Sequence, residues 1–273
     1  MTNQKMLEKE AMQILKDTSR TFYIPIKLLK QPLRNTVASA YLCMRAIDEI
    51  EDHETLETDV KTHLLRKTSI LLNESFDETA YKELTLPYKE ELPEVTLRLA
   101  DWIHFCPDGV VNKVQKATGT MAIGMANWAE KNWDVQTEED LDDYTYYVAG
   151  LVGVMLSDIW EWYDGTVTDR ELAIGYGRGL QAVNILRNEK EDLAERGVGF
   201  FPVDWSRQDM FAYAERNLAK ADLYMEDIKT RNITLFCKIP LALAKRTLKA
   251  LKRGEEKITR DEVKETVDEI MNE

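Results

Sequence analysis

An all-α fold is the class this sequence predicts, on three observations. Apolar residues recur at helical spacing along most of the chain, and the alternation expected of strands is nearly absent. Only twelve Gly and seven Pro punctuate 273 residues. Apolar residues make up 44% of the chain, enough for a sizeable core.

Taken in order, the apolar periodicity places helices over 8–17, 33–52, 59–72, 92–105, 110–132, 138–162, 169–194, 205–230 and 240–252, with a last one from 259 onward. Residues 17–25 read as a helix stop followed by an extended turn ending at Pro25. Residues 73–91, with Pro87, form the one long linker. Residues 196–202, RGVGFFP, are a Gly-rich stop after a long helix. Thr259 followed three residues later by Glu262 is a capping-box signature for the last helix. No internal repeat, low-complexity tract or composition shift divides the chain, so residues 1–273 are expected to form a single α-bundle domain.

The formal net charge is −13. Such a surface repels phosphate backbones, and no nucleic-acid partner is expected. An acidic protein can still take a phosphorylated small molecule if divalent cations bridge the like charges. Cys43, Cys106 and Cys237 are odd in number and far apart, which suits neither a disulfide framework nor a zinc site. A reducing, cytoplasmic setting is the expectation. The first 17 residues read as a polar amphipathic helix rather than a signal peptide. The longest apolar run, 148–156, is too short to span a bilayer, and peripheral membrane contact stays open. Monomer and homodimer both stay open.

Two polar stripes carry the chemistry. In residues 41–53, YLCMRAIDEIEDH, the side chains of Tyr41, Arg45, Asp48 and Asp52 are spaced 4, 3 and 4 apart and share one helix face. Asp48 and Asp52, one turn apart, can share hard divalent cations, and Arg45 lies one turn back, where a guanidinium can hold a phosphate oxygen. A solvated acidic helix end would give a similar string. Acidic residues there, however, oppose the negative end of the helix dipole.

In residues 181–192, QAVNILRNEKED, the side chains of Gln181, Asn184, Asn188 and Asp192 are spaced 3, 4 and 4 apart, among the apolar Val183, Ile185 and Leu186. Buried amides need partners, so the stripe suggests either a wet binding cavity or the outer face of an amphipathic helix. Gly150 and Gly153, like Gly119 and Gly124, fall inside predicted helices, where they permit close helix packing or make room for a bulky apolar ligand. Ser19 and Arg20 can donate to a phosphate, and Ser19 can equally be a helix cap.

Together these segments resemble the squalene and phytoene synthase family, in the right order and over nearly the whole chain. The SRTF segment at 19–22 resembles the family's N-terminal flap. Residues 48–52, DEIED, resemble its first aspartate-rich motif. Residues 144–153 resemble its YxYxVAGxVG segment, and 181–192 its second motif, followed by 196–202. The resemblance implies an isoprenoid-synthase-type helical bundle with a central cavity. It implies Mg²⁺ as cofactor, held by Asp48, Asp52 and Asp192 with Asn184 and Asn188 assisting, and a small-molecule prenyl diphosphate as substrate. It further implies that Arg45, Arg187, Ser19 and Arg20 face the diphosphate, that Phe22, Tyr41 and Tyr144 line the cavity with Gln181 on the same stripe, and that Arg260 is a C-terminal basic group.

One departure shapes the functional expectation. The family's second motif has aspartate at both ends of a four-residue step, and here Asn188 replaces the first. Phe200 and Phe201 stand where a tyrosine is expected. Asparagine ligates a cation through its carbonyl but brings no charge. Head-to-head synthesis must bind two prenyl diphosphates and exclude water, whereas hydrolysis tolerates water. Within the family the chain most resembles a phosphatase-like member, and with this departure it is expected to hydrolyse farnesyl diphosphate to farnesol. The alternatives are a head-to-head C30 or C40 synthase of the squalene, dehydrosqualene or phytoene type, and a non-catalytic prenyl-lipid binder on the same scaffold.

Overall fold

The computed structural model describes residues 3–272, with the side chains of residues 3, 20, 195 and 196 left outside the description. Among the described residues there are fourteen α-helices and no strand. The chain divides into two compact units, Met1–Asn132 and Trp133–Glu273.

The first unit is built around α3 (Leu33–Glu51), whose apolar face buries Leu42, Ala46, Ile47 and Ile50. Against it pack α1 (Asn3–Thr18), α2 (Arg20–Leu28), α4 (Thr58–Asn73), the short α6 (Glu94–Leu97) and α7 (Leu99–Phe105), and the long α8 (Asp108–Glu130). Two buried hydroxyls tie α3 to this layer. Ser39 donates to the Trp102 carbonyl at 2.7 Å, and Thr96 donates to the Ala46 carbonyl at 2.9 Å. Helices α4 and α8 approach closely at Gly119, whose carbonyl accepts from Ser69 at 2.7 Å. A Cβ there would lie 2.6 Å from the Asn73 amide nitrogen.

The predicted boundaries differ from the observed ones for local reasons. Residues 20–28 are helical rather than extended. Ser19 ends one helix and caps the next, accepting from the Phe22 N–H at 3.1 Å, and Pro25 costs this short helix only the bond to Thr21. The linker 73–91 holds α5 (Glu78–Thr85), capped by Asp77 and anchored by the fully buried Tyr81, which donates to the Thr96 carbonyl at 2.8 Å. The helix predicted over 92–105 breaks at Arg98, where the guanidinium gathers Glu10, Glu94 and Asp101.

In the second unit, α11 (Arg170–Glu191) is the axis. Around it lie α9 (Glu138–Thr145), α10 (Leu151–Asp164), α12 (Arg207–Glu226) and α13 (Arg231–Lys252). The amphipathic α14 (Arg260–Asn272) packs on α13, and Thr259 and Glu262 form the expected capping box at its start. Glycines set the spacing around α11. A Cβ at Gly153 would meet the Ala173 carbonyl oxygen at 2.3 Å, and one at Gly177 would meet the Ala149 oxygen at the same distance. Real Cβ atoms do not approach carbonyls so closely, so close helix packing accounts for Gly153. The helix predicted over 138–162 is interrupted by a π turn at Tyr146–Gly150. The helix expected to begin at Pro240 runs through it from Arg231.

Candidate active site

The last turns of α3 hold the first group of predicted residues. Tyr41, Arg45 and Asp48 are half-buried along one face, and Asp52 caps the helix, its N–H donating to the Asp48 carbonyl at 2.8 Å. Arg45 is committed to carboxylates on its own helix. Its Nη1 donates to Asp48 at 2.6 Å, and its Nε donates to Glu49 at 2.8 Å. Burial alone would depress the guanidinium pKa, but Asp48 and Glu49 beside it raise it above its ordinary value. Arg45 therefore remains a fixed cation that can turn one donor toward a phosphate oxygen.

Tyr41 links this face to the N-terminal segment. Burial pushes its phenol pKa up, and hydrogen bonds with the Thr18 and Ser19 hydroxyls together with Arg45 pull it partly back. The Phe22 ring lies 6.1 Å from that of Tyr41, tilted by 43°. Ser19, Phe22, Tyr41, Arg45, Asp48 and Asp52 thus follow one another as neighbours from the start of α2 along one face of α3. The Arg20 side chain lies outside the described residues.

The sequence reading missed one member of this set. Glu51 is only 3% exposed, and its carboxylate joins those of Asp48 and Asp52, with one oxygen from each lying within 4.8 Å of the others. Its spacing of three from Asp48 was the available signal, but a charge run does not show which of its members turns inward. The donor set consists of hard oxygens, as Mg²⁺ requires. An ion with bonds of about 2.1 Å spans ligand atoms up to roughly 4.2 Å apart, so a shift of about half an ångström closes the cluster on a divalent ion.

The second group lies on α11. Ala182, Val183, Ile185 and Leu186 are buried, Asn184 and Arg187 are exposed, and Gln181, Asn188 and Asp192 are half-buried. Within the stripe, the Asn184 amide donates to Gln181 at 3.4 Å and the Arg187 Nε donates to Asn188 at 3.1 Å. Asp192 opens a π turn, Asp192–Arg196, which Gly197 ends in the left-handed region at φ 66°. Such turns widen a helix and are frequent at functional sites. Tyr144 is buried and stacks on Phe200, ring centroids 4.8 Å apart. Arg260 stands exposed as the first residue of α14. The loop before it touches α11 through Lys190 and Glu256 at 3.8 Å.

A further network in this unit had no signature in the sequence. The Tyr213 hydroxyl donates to the Asp142 carboxylate at 2.6 Å and lies 3.2 Å from the Thr145 hydroxyl. Arg178 of α11 donates to the Asp142 carbonyl at 2.9 Å. Helices α9, α11 and α12 are joined by it, one residue from Tyr144.

A sequence profile of the Squalene/phytoene synthase family matches residues 15–209, running past the division between the units. Squalene synthase from Schizosaccharomyces pombe is 32% identical over 282 residues, covering 90% of this chain and 60% of the relative. Human squalene synthase is 29% identical over 269 residues, covering 89% and 63%. The chain thus spans about 60% of the length of these curated relatives. Among solved structures, TcSQS in complex with a ligand superposes with a TM-score of 0.79 at 24% identity, covering 97% of this chain and 86% of that one.

These relatives overturn the expected farnesyl diphosphate phosphatase. They are squalene synthases, and they favour the head-to-head alternative over hydrolysis. The weight placed on Asn188 was misjudged for a physical reason. Synthesis and hydrolysis through C–O cleavage share their first event, ionisation of an allylic diphosphate, so a weaker metal ligand slows both alike and does not choose the nucleophile. The chain belongs to the squalene/phytoene synthase family and has its isoprenoid-synthase-type helical fold.

Proposed function

We propose that this chain joins two allylic prenyl diphosphates head to head, in the manner of squalene, dehydrosqualene or phytoene synthesis. The observation that carries the reading is the arrangement at the end of α3, where Arg45 and the carboxylates of Asp48, Glu51 and Asp52 lie together on the family's fold.

Mg²⁺, when held by Asp48, Glu51 and Asp52, supplies charge neutralisation of the diphosphate and makes it a leaving group. Arg45 adds a fixed positive charge on the same side, where negative charge grows as the C–O bond breaks. Ser19 faces the diphosphate from the start of α2, and the family resemblance gives Arg20 the same role. The ring faces of Phe22 and Tyr41 stabilise an allylic cation without reacting with it, a role the family resemblance also gives to Tyr144. Gln181, Asn184, Arg187, Asn188 and Asp192 form a second polar surface, with Asn184, Asn188 and Asp192 as its oxygen ligands and Arg187 as its cation, and Arg260 contributes from α14. Asn188 serves in this reading as a neutral ligand. The expected single-domain organisation belongs to the same proposal and is supported by a family match that continues past residue 132. So does a reducing, cytoplasmic setting, supported by three buried free cysteines.

The test is incubation of the protein with farnesyl diphosphate and Mg²⁺, without NADPH, followed by analysis of the organic extract. A C30 hydrocarbon or its cyclopropyl diphosphate precursor, abolished by EDTA and by Asp48→Ala, is expected. A C15 alcohol as sole product, or substrate binding without turnover, would sink the reading.

A further inference from the structure

Lys61 lies in the first turn of α4, is only 9% exposed, and donates from Nζ to the backbone carbonyl of Glu51 at 2.9 Å. Lysine is almost never buried unless paired. Its place is also poor for its own helix, because a cation in the first turn faces the positive end of the dipole. Helix α3 has the opposite fault, with Asp48, Glu49, Glu51 and Asp52 crowded at its negative end. The two unfavourable placements meet and offset one another. The carbonyl that Lys61 takes is also one of the last four of α3, which lack partners within the helix. Arg45 does not duplicate this contact, since its donors go to Asp48 and Glu49.

We propose that Lys61 is a positioning residue for the cation-binding turn of α3. By holding the Glu51 carbonyl it fixes the final turn in helical register and so presents the carboxylates of Asp48, Glu51 and Asp52 as one set. The role rests on the reading of this turn as a divalent-cation site, and the test separates the two.

The protein is titrated with Mn²⁺ as the probe, without substrate, and free Mn²⁺ is read by electron paramagnetic resonance. Wild type is expected to bind, and Asp48→Asn to lose most of that binding. Lys61→Met, close in length and apolar, is expected to weaken binding about tenfold, the lower end of effects seen for groups that orient ligands. Lys61→Arg, which keeps charge and donor, restores most of it. Unchanged binding in Lys61→Met overturns the role. Tighter binding overturns it too, because Lys61 would then act only as a competing cation. If Lys61→Met fails to fold by circular dichroism, Lys61→Gln takes its place, and failure of both makes Lys61 a residue of the fold and ends the proposal. A wild type that binds no Mn²⁺ overturns the cation site itself, whatever the Lys61 variants do.

Discussion

The end of α3 and the stripe on α11 both project polar groups from apolar helices, yet they are held in place by different means. On α3 the side chains are mostly ionisable and the restraint is ion pairing. Arg45 grips Asp48 and Glu49, and Lys61 ties down the Glu51 carbonyl. On α11 the side chains are mostly amides, and Asn184 and Arg187 bond to Gln181 and Asn188 of the same helix. There the restraint is the backbone, held by glycines that let α10 and α12 approach α11 to contact distance. Crowded carboxylates repel one another and need built-in cations before a metal arrives. Neutral amides need none, so their helix is free to be positioned by packing alone.

The largest expected effect breaks the charged region. Asp48→Asn removes one carboxylate from the cluster and also the anion facing Arg45. A loss of at least about 100-fold in kcat/KM is expected, since even groups behind the ligands are worth 10–100-fold. Steady-state kinetics across an Mg²⁺ series checks this. A loss under threefold would mean that the cluster is only a solvated helix end.

The next effect falls on packing. Gly153→Ala forces a methyl to within 2.3 Å of the Ala173 carbonyl oxygen. Helices α10 and α11 must part, at an expected cost of about 1–3 kcal/mol in urea unfolding. A neutral result would show that the placement of α11 does not depend on this approach.

How much of this was legible in the sequence follows from the same contrast. The α3 stripe was readable as one helix face because Tyr41, Arg45, Asp48 and Asp52 recur at helical spacing. The α11 stripe was readable because amides interrupted a buried pattern. Glu51 was not, because burial within a charge run depends on which neighbour covers it. Helix α5 was hidden for a related reason, having only eight residues and one large buried side chain, Tyr81, to mark it. The breaks at Tyr146–Gly150 and Asp192–Arg196 leave apolar periodicity almost intact, so spacing alone read through them. The reaction itself was misjudged from a single residue, Asn188, because composition of the ligand set reports on ionisation and not on which nucleophile follows.

That residue offers the third test. Asn188→Asp adds charge to a stripe made mostly of neutral amides. Metal binding is expected to tighten up to about tenfold, with Arg187, whose Nε already donates to Asn188, taking up part of the new charge. The product should remain the same, because the nucleophile is selected elsewhere. A switch of product between alcohol and hydrocarbon would restore to Asn188 the deciding role denied to it here.

The smallest expected effect asks whether the packing region also relies on charge. Tyr213 donates to Asp142, and Arg178 donates to the carbonyl of the same residue, so a charged network does join α9, α11 and α12. If α11 is positioned by glycine contacts, this network is an addition to the fold and not a support for the stripe. Tyr213→Phe keeps the ring, its edge-on contact with Trp205 at 5.6 Å and its place under the Arg216 guanidinium, and removes only the hydroxyl. Asp142 keeps Arg178 beside it at 3.6 Å and is partly open to water, so it is not stranded. The cost should be about 1 kcal/mol, the net worth of a single hydrogen bond. That corresponds to a fall in Tm of roughly 2–4 °C for a chain of this size. Mn²⁺ affinity should not move. If affinity falls with Tm, the polar stripe of α11 is held by charge as that of α3 is, and the two regions differ in degree and not in kind.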